Sequence, residues 1–514
     1  MAFSILIKNG TVLDGSGGAP YLADVGISAN RIVKIGNLSD EAAEQIIDAT
    51  NLYVTPGFVD ITNHSDVYGT LFSVPSQESL LRQGITTILL GNCGESLAPV
   101  VKRESLFGLE RWTTGFSVPI NWNSLPEYYE NIERLGVGVN VATLVGHETL
   151  KRNANSKDER LFLLEKSLAE GAWGMSSNFS FADWNGDEED ELLGLLSAVK
   201  KQGGLYKVHI RDEGKNFLPS VSSVVSLARK SSVRTVISHF KAVGRGAWTD
   251  FGGALGIINA ARNEGVEISF DVFPYLRTGS MLVSLLPTWA REGGSEDVLK
   301  KLGDPAIAAK ILAELKSATL HPKRILVASA LNDKSAVGKD LGELSEKTGI
   351  EPEALLVELL KINDLNVSIF GKTLNEPNLL AGAKYAGSII ASDGAGYDVA
   401  ESRFGNLAHP RSFGAFPRFF NLISARAKIP LGNAVAKMTS LPARAAGFGD
   451  RGLLKPKYIA DVAIFHPEEF KDRATYKNPY RYASGLRFLL ISGKFAIEDG
   501  AVLPERYGVV LRKK

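Results

Sequence analysis

The chain has very little cysteine, no charge excess and no long apolar run, and each absence excludes a class of protein. One Cys in 514 residues cannot form an internal disulfide, which fits a reducing compartment and leaves the thiol free. The 58 Lys and Arg nearly balance the 57 Asp and Glu, so no nucleic-acid partner and no anionic membrane partner is indicated. No apolar run approaches the roughly 18 residues of a membrane span, and no basic segment followed by an apolar stretch predicts a signal peptide. We expect a cytoplasmic protein with a small-molecule substrate, and the sequence does not indicate its oligomeric state.

Several reactive side chains stand where apolar, strand-like runs end. They are Asp60, His64, Cys93, His209, His239 and Asp393, in GFVDITNHSD, TTILLGNCG, LYKVHI, TVISHF and GSIIASDG. The C-terminal ends of parallel strands converge on one mouth, where barrel enzymes have their active sites. Zinc accepts thiolate and neutral imidazole ligands, and a catalytic zinc site keeps one position open. The pattern predicts a metal-dependent hydrolase.

Strand-like and helix-like segments alternate through the middle of the chain. TTILLG, GLYKVHI, VRTVISHF and EISFDVFPY are apolar runs, and amphipathic stretches such as NFLPSVSSVVSLARKSS separate them. Alternating β and α units predict parallel strands with crossover helices, and near-continuous apolar strands predict burial on both faces. No glycine-rich phosphate loop follows the first strand, so a (β/α)8 barrel fits better than an open doubly wound sheet. The predicted class is α/β.

The ends of the chain predict a second, smaller unit. Residues 1–57 and 447–514 contain short alternating strands broken by Gly, Asn and Asp, and neither piece alone makes a stable two-faced sheet. We expect both to pair in one small β-sandwich beside a barrel over 58–446. Around 284–365 a charged, mostly helical insertion interrupts the barrel pattern, either as a lid or as an embellishment without a gating role.

Each candidate residue has a structural alternative. A lone Cys is more often a small buried hydrophobe, and a single His is more often a hydrogen-bonded core residue than a ligand. Cys93, His209 and His239 together favour a metal site, because all three occupy equivalent strand ends. Asp393 either caps the next helix or serves as the base toward a water that the metal activates.

Three further residues are candidates for substrate or metal support. His147, after another strand, is a candidate pocket or metal-supporting residue. Arg411 presents a planar fork suited to a carboxylate, although a structural ion pair is the usual role of an Arg. Lys241 leaves the same strand end as His239 and is a candidate for the same anion. Asp66 is expected to be a turn or capping residue.

The motifs NGTVLDGSGGAPYLADVGISANRIVKIG, VTPGFVD, GNCGESLAP, HIRDEG, ISHFKAVG, DVFPY, SDG and HPRSFGAFPR extend over nearly the whole chain. Together they resemble the N-acyl-D-amino-acid deacylases (D-aminoacylases) of the amidohydrolase superfamily. The resemblance implies the metal-dependent amidohydrolase fold and a zinc held by Cys93, His209 and His239. It also implies a catalytic Asp393 and substrate-carboxylate contacts near Lys241, Tyr275 and Arg411.

One departure from the superfamily pattern concerns the first barrel strand. The pattern there is His-X-His, and this chain has Thr62-Asn63-His64. His64 is therefore left alone at the weaker second metal site, and we expect one tightly bound zinc. The segment after Asp393 is longer than the usual connection of the family, which puts the shape of the pocket in question.

The function that the resemblance implies is hydrolysis of the amide bond of an N-acyl-D-amino acid to a carboxylate and a free D-amino acid. A cyclic-amide hydrolase of the hydantoinase or dihydroorotase type, or a dipeptidase acting before a D-residue, is an alternative of the same chemistry. An alternative of another class is a non-catalytic amidohydrolase-like scaffold, which only the Thr at position 62 supports. The acyl group and the side chain of the substrate are not predicted.

Overall fold

A computed structural model of the chain describes residues 3–102, 118, 120–178, 186–317 and 320–514. The strands are β1 (Phe3–Val12), β2 (Tyr21–Ser28), β3 (Arg31–Gly36), β4 (Ala43–Asp48), β5 (Tyr53–Pro56), β6 (Phe58–Asp60), β7 (Ile85–Leu90), β8 (Asn140–Thr143), β9 (Val145–Gly146), β10 (Gly174–Asn178), β11 (Leu205–His209), β12 (Arg234–Ile237), β13 (Ile268–Val272), β14 (Thr278–Met281), β15 (Ile325–Ala330), β16 (Val367–Gly371), β17 (Ser388–Ile390), β18 (Val462–Phe465), β19 (Leu486–Ile491), β20 (Lys494–Glu498) and β21 (Ala501–Val502).

The α-helices are α1 (Thr70–Ser73), α2 (Glu78–Leu81), α3 (Leu125–Leu135), α4 (His147–Asn153), α5 (Lys157–Ala169), α6 (Gly186–Lys201), α7 (Phe217–Ser231), α8 (Arg245–Trp248), α9 (Phe251–Asn263), α10 (Thr288–Arg291), α11 (Ser295–Gly303), α12 (Pro305–Ser317), α13 (Leu341–Thr348), α14 (Pro352–Ile362), α15 (Glu376–Lys384), α16 (Arg411–Arg418), α17 (Ser424–Arg426), α18 (Leu431–Met438) and α19 (Ser440–Ala446). Short 3-10 turns lie at Leu282–Leu285, Pro322–Arg324, Lys334–Ala336 and Val399–Phe404, and a π-helical turn spans Phe419–Ile423. Among the described residues, none of these helices has both the length and the apolar character needed to cross a membrane.

A ring of parallel strands forms the centre of the molecule. One sheet has the order β6-β7-β8 and another the order β9-β10-β11-β12-β13-β17, with every pairing parallel. β8 and β9 follow each other with one residue between them, so they form one interrupted strand. A parallel bridge between Asn63 and Gly394 joins the end of β6 to the end of β17 and closes the ring. This closed ring of parallel strands confirms the predicted (β/α)8 barrel. Apolar strands that alternate with amphipathic helices have few other ways to bury both faces of each strand.

The strands of the two chain ends pair with each other in one sheet, as the predicted β-sandwich built from both ends requires. Its order is β21-β20-β19-β18-β5-β1-β2-β3, and β4 pairs with β1. The antiparallel pairing of β5 with β18 joins the N-terminal strands to the C-terminal ones. Ile7, Val25, Val462 and Leu490 meet in a shared apolar core. The division of the chain into domains at 57 and 446 stays a prediction.

The insertion between β13 and β17 has a core of its own. Helices α10 to α14 pack around residues such as Leu282, Ile311, Leu356 and Val367. A three-stranded antiparallel sheet of order β14-β16-β15 accompanies these helices, and of its strands only β15 lies within 284–365, the range for which a mostly helical segment was expected. The sequence gives little sign of β14, whose residues TGSM are not strongly apolar. A lid role for this insertion stays a prediction.

Candidate metal centre and active site

Three candidate residues share an unusual backbone conformation at the strand ends. The φ angles are 53° at Cys93, 39° at His239 and 53° at Asp393, all in the left-handed region that residues with a side chain rarely adopt. Cys93 lies between Gly91 and Gly94, and a side chain at Gly91 would come within 2.2 Å of a backbone oxygen. Strain of this kind persists only where the surroundings fix it, and it concentrates at functional sites.

Backbone amides in or beside these strained turns donate hydrogen bonds to buried carboxylates. Asp66 accepts a bond from the Gly91 amide at 2.9 Å, and Asp271 accepts one from the His239 amide at 2.7 Å. Asp60 accepts a bond from the Ser392 amide at 2.9 Å, which fixes the residue before Asp393. Asp60 and Asp66 are thus buried supports of the strand ends, and Asp66 has this role beyond the turn or capping role that the sequence suggested.

Cys93, His209 and His239 come together as the sequence predicts. Their potential ligand atoms all lie within 4.8 Å of one another, and this is the one such group of His, Cys and acidic residues among those that the structure describes. Cys93 Sγ is 3.3 Å from His239 Nε2, and the two imidazole rings are 4.5 Å apart between centroids. The ends of β7, β11 and β12 therefore place a sulfur and two ring nitrogens around one point.

The chemistry of this cluster fits zinc. Zinc takes sulfur at about 2.3 Å and imidazole nitrogen at about 2.0–2.1 Å in tetrahedral sites, which three such close atoms can satisfy. Burial, and then the neighbouring His239, lower the pKa of His209 to about 3, so this imidazole is neutral as a metal ligand must be. His209 Nδ1 is buried without a hydrogen-bond partner among the described residues. Burial and then Asp393 raise the pKa of the Cys93 thiol, which a coordinated cation would reverse.

Glu213 lies behind the two histidines, and sequence reasoning missed it. Its Oε1 is 3.2 Å from His239 Nδ1 and 3.8 Å from His209 Nε2, and it forms an ion pair with Lys241. Burial acts to raise the pKa of Glu213, but Lys241 and both histidines outweigh it and hold that pKa well below its usual range. Carboxylates that orient metal-binding imidazoles are common partners in such centres. The sequence signal that could have identified Glu213 is its position four residues after His209.

Lys241 therefore has partners within the metal centre. Its Nζ bonds to Glu213 and is 2.8 Å from His239 Nδ1. A role as a contact of the substrate carboxylate stays a prediction for this residue, and an incoming anion would compete with Glu213 for it.

Asp393 lies in a charged pocket with His64 and Arg411. His64 Nε2 is 3.1 Å from Asp393 Oδ1, and Arg411 Nη1 donates to Asp393 Oδ2. Burial acts to raise the pKa of Asp393, but Arg411, His239 and His64 outweigh it and hold that pKa well below its ordinary value. His64 therefore contacts Asp393 and does not belong to the cluster of Cys93, His209 and His239. Arg411 also has an Nε that is buried without a hydrogen-bond partner among the described residues.

The remaining predicted contact residues, Tyr275 and His147, have different partners. The Tyr275 hydroxyl donates to the Pro410 carbonyl at 3.2 Å, directly before Arg411. His147 begins α4, and its Nε2 is 3.7 Å from Glu191 of α6. Tyr275 therefore supports the Arg411 segment, whereas the described contact of His147 lies among the outer helices.

A buried ion pair inside the barrel was also missed. Lys207 and Asp271 are fully buried, and their charged groups are 2.8 Å apart. In the sequence Lys207 looks like the polar member of an alternating strand, so nothing in LYKVHI indicates an interior ammonium.

Comparison with known proteins gives matches over the full length of the chain. The chain is 28% identical to the D-aminoacylase of Alcaligenes xylosoxydans xylosoxydans over 99% of its own length and 98% of that protein. A crystal structure of the N-acyl-D-glutamate deacylase of Bordetella bronchiseptica, complexed with zinc and a phosphonate mimic of the tetrahedral intermediate, superimposes with a TM-score of 0.83 at 25% identity and covers 100% of both chains. A D-aminoacylase structure described by its binuclear metal centre has a TM-score of 0.81 at 27% identity, over 99% of this chain and 100% of that one. No protein-family model matches the chain.

Proposed function

We propose that this chain, which resembles the N-acyl-D-amino-acid deacylases along its whole length, hydrolyses the amide bond of N-acyl-D-amino acids with the help of zinc. The products are a carboxylate and a free D-amino acid. The observation that carries the proposal is the convergence of Cys93, His209 and His239 beside a buried Asp393, in a fold that zinc-binding deacylases share from end to end. The resemblance predicted from the motifs is confirmed.

The two alternatives fit less well. The sequence relatives that match over the full length, at 26–29% identity, are named D-aminoacylase, N-acyl-D-glutamate deacylase and N-acyl-D-aspartate deacylase, which does not favour a cyclic-amide hydrolase. A non-catalytic scaffold has no reason to keep a sulfur and two imidazoles within 4.8 Å of one another.

Cys93, His209 and His239 would hold the zinc, with Glu213 orienting both imidazoles. When bound, zinc supplies a Lewis acid that polarises the amide carbonyl and lowers the pKa of a water toward neutrality. Asp393 would accept a proton from the attacking water and pass it to the departing nitrogen. Because its pKa lies well below the ordinary value, Asp393 enters the reaction as a carboxylate.

Arg411 links the base to the substrate. Its guanidinium already bonds Asp393, and its buried Nε has no partner among the described residues, so it has a donor to offer the substrate α-carboxylate. A guanidinium shared between two carboxylates stabilises each of them less, so substrate binding raises the pKa of Asp393 and makes it a stronger base. Lys241 completes the carboxylate end of the pocket, Tyr275 holds the segment that carries Arg411, and His147 acts from the outer helices through Glu191.

The test is a substrate panel with the purified, zinc-loaded protein. N-acetyl-D-amino acids, their L-enantiomers and hydantoins are assayed under the same conditions, with release of the free amino acid as the readout. We expect turnover of the D-series, and little or none of the other two. Preferential hydrolysis of hydantoins would select the cyclic-amide alternative, and no turnover of any of them by a protein that holds zinc would select the scaffold.

A further inference from the structure

Lys207 is a fully buried lysine inside the barrel, and all of its donors are used. Its Nζ donates to the Ile61 carbonyl at 2.8 Å, to the Thr62 hydroxyl and to Asp271 Oδ2 at 2.8 Å. Thr62 in turn donates to the same Asp271 oxygen at 2.7 Å. Lysine is almost never fully buried unless it is paired, so the barrel has a specific use for a positive charge at this place.

The Lys207 ammonium is connected to two of the candidate metal ligands. Lys207 and His209 are two residues apart on β11, so their side chains leave the strand on the same face. Asp271 receives the ammonium on Oδ2 and the backbone amide of His239 on Oδ1, at 2.7 Å. One carboxylate therefore connects Lys207 to a candidate zinc ligand.

The acceptors around Lys207 Nζ are a carbonyl, a hydroxyl and a carboxylate oxygen. These are groups that hard metal cations also take as ligands. A D-aminoacylase with this fold has a binuclear metal centre, so the fold can accommodate a second cation. In this chain the Lys207 ammonium occupies the space between such oxygens. In a low-dielectric interior this positive charge repels a divalent ion placed beside it.

We propose that Lys207 is a positioning residue whose ammonium stands in for a second metal ion, fixing Asp271 beneath His239 and limiting the centre to one zinc. The inference rests on the proposed function for the identity of the first zinc. The inference goes beyond the proposed function because it names Lys207 as the group that replaces the second metal ion.

The experiment measures metal stoichiometry in chelator-treated protein titrated with Zn2+ and with Co2+. After removal of excess ion, elemental analysis should find one metal per chain in the wild type. The double variant Thr62→His/Lys207→Met, which restores an imidazole and removes the ammonium, should bind two. Two tightly held metals in the wild type, or one in a folded double variant, would overturn the inference.

Two single variants keep the test decisive if the double variant does not fold. Lys207→Met should weaken zinc affinity by about 10–100-fold, as loss of a group supporting a metal ligand does, and should shift the Cys93 thiolate-to-Co2+ absorption band. Lys207→Arg, which keeps a cation, should restore part of that affinity. An affinity and a band unchanged in Lys207→Met would refute a positioning role.

Lys437→Met is the matched control. Lys437 is also buried and donates at 2.8 Å to the Oγ of Ser388, the first residue of β17, whereas Asp393 follows the opposite end of that strand. This variant should lower stability and leave metal affinity and the Co2+ spectrum unchanged. The substrate panel is read separately: an inactive wild type that holds one zinc would contradict the proposed function and leave the role of Lys207 standing.

Discussion

Replacing Asp393 by Asn tests the acid–base role and the buried ion pair together. The side chains of Asp393 and Arg411 are each 8% exposed, so water does little to screen their charges. Asn keeps an oxygen that can accept the Arg411 hydrogen bond, but it cannot take up a proton. Asp393 lies outside the three-residue cluster, so zinc binding should survive the substitution.

The expected magnitudes differ for activity and stability. Loss of a positioned acid–base group lowers turnover by on the order of 10²–10⁴. Removing one partner of a buried ion pair costs about 3–5 kcal/mol, and the remaining hydrogen bond to a charged donor recovers about 1.5–3 kcal/mol of it. We therefore expect the free energy of unfolding to fall by about 1–3 kcal/mol.

The assay measures turnover, zinc content and denaturant unfolding on the same preparations. Asp461→Asn is the control, because Asp461 and Arg451 form an equally buried pair, with side chains 5% and 7% exposed, beside the terminal sheet. The control should lose stability and keep turnover, whereas Asp393→Asn should lose both and keep its zinc. Normal turnover in Asp393→Asn would refute the acid–base role, and loss of zinc would make Asp393 a ligand instead.

Three further predictions concern other residues. Cys93→Ala should bring zinc below one per chain by elemental analysis, with activity falling in parallel; full zinc content would exclude a thiolate ligand. Arg411→Lys should lower catalytic efficiency sharply for N-acyl-D-amino acids and much less for their amides; equal losses with a lower melting temperature would mean a structural role. Burial raises the pKa of Asp66 from 3.8 to about 6, so the folded state retains a proton that the unfolded chain releases, and stability falls as pH rises between those values. In Asp66→Asn the decrease in the free energy of unfolding over this pH range should be smaller by about 3 kcal/mol. An unchanged pH profile of unfolding would contradict this prediction.

The barrel and the metal cluster were predictable because both follow from local sequence. Runs such as TTILLG and VRTVISHF predict buried strands, and the structure has β7 and β12 at these positions. A reactive residue directly after such a run must lie at the barrel mouth, which is why Cys93 and His239 were recognised without knowledge of their contacts.

The supporting groups were not predictable, because their roles depend on residues far apart in the chain. Asp271 opens the motif DVFPY, but its function appears only when Lys207 and the His239 amide are seen on its two oxygens. Arg411 was expected to face the substrate, and its direct bond to Asp393 could not be read from sequence. The sheet β14-β16-β15 was missed because its pairing partners are separated by helices.

The bridge between Asn63 and Gly394 has a consequence for how the enzyme matures on the ribosome. Cys93, His209 and His239 all precede residue 240, and Asp393 and Arg411 follow the insertion. Synthesis therefore delivers the three proposed zinc ligands well before Asp393, the proposed acid–base residue, which meets His64 only when β17 returns to β6. Joining ends so distant in the chain is slow compared with local folding. A nascent chain halted before β17 would carry all three metal ligands and no means of moving the proton, so zinc capture would precede hydrolytic competence.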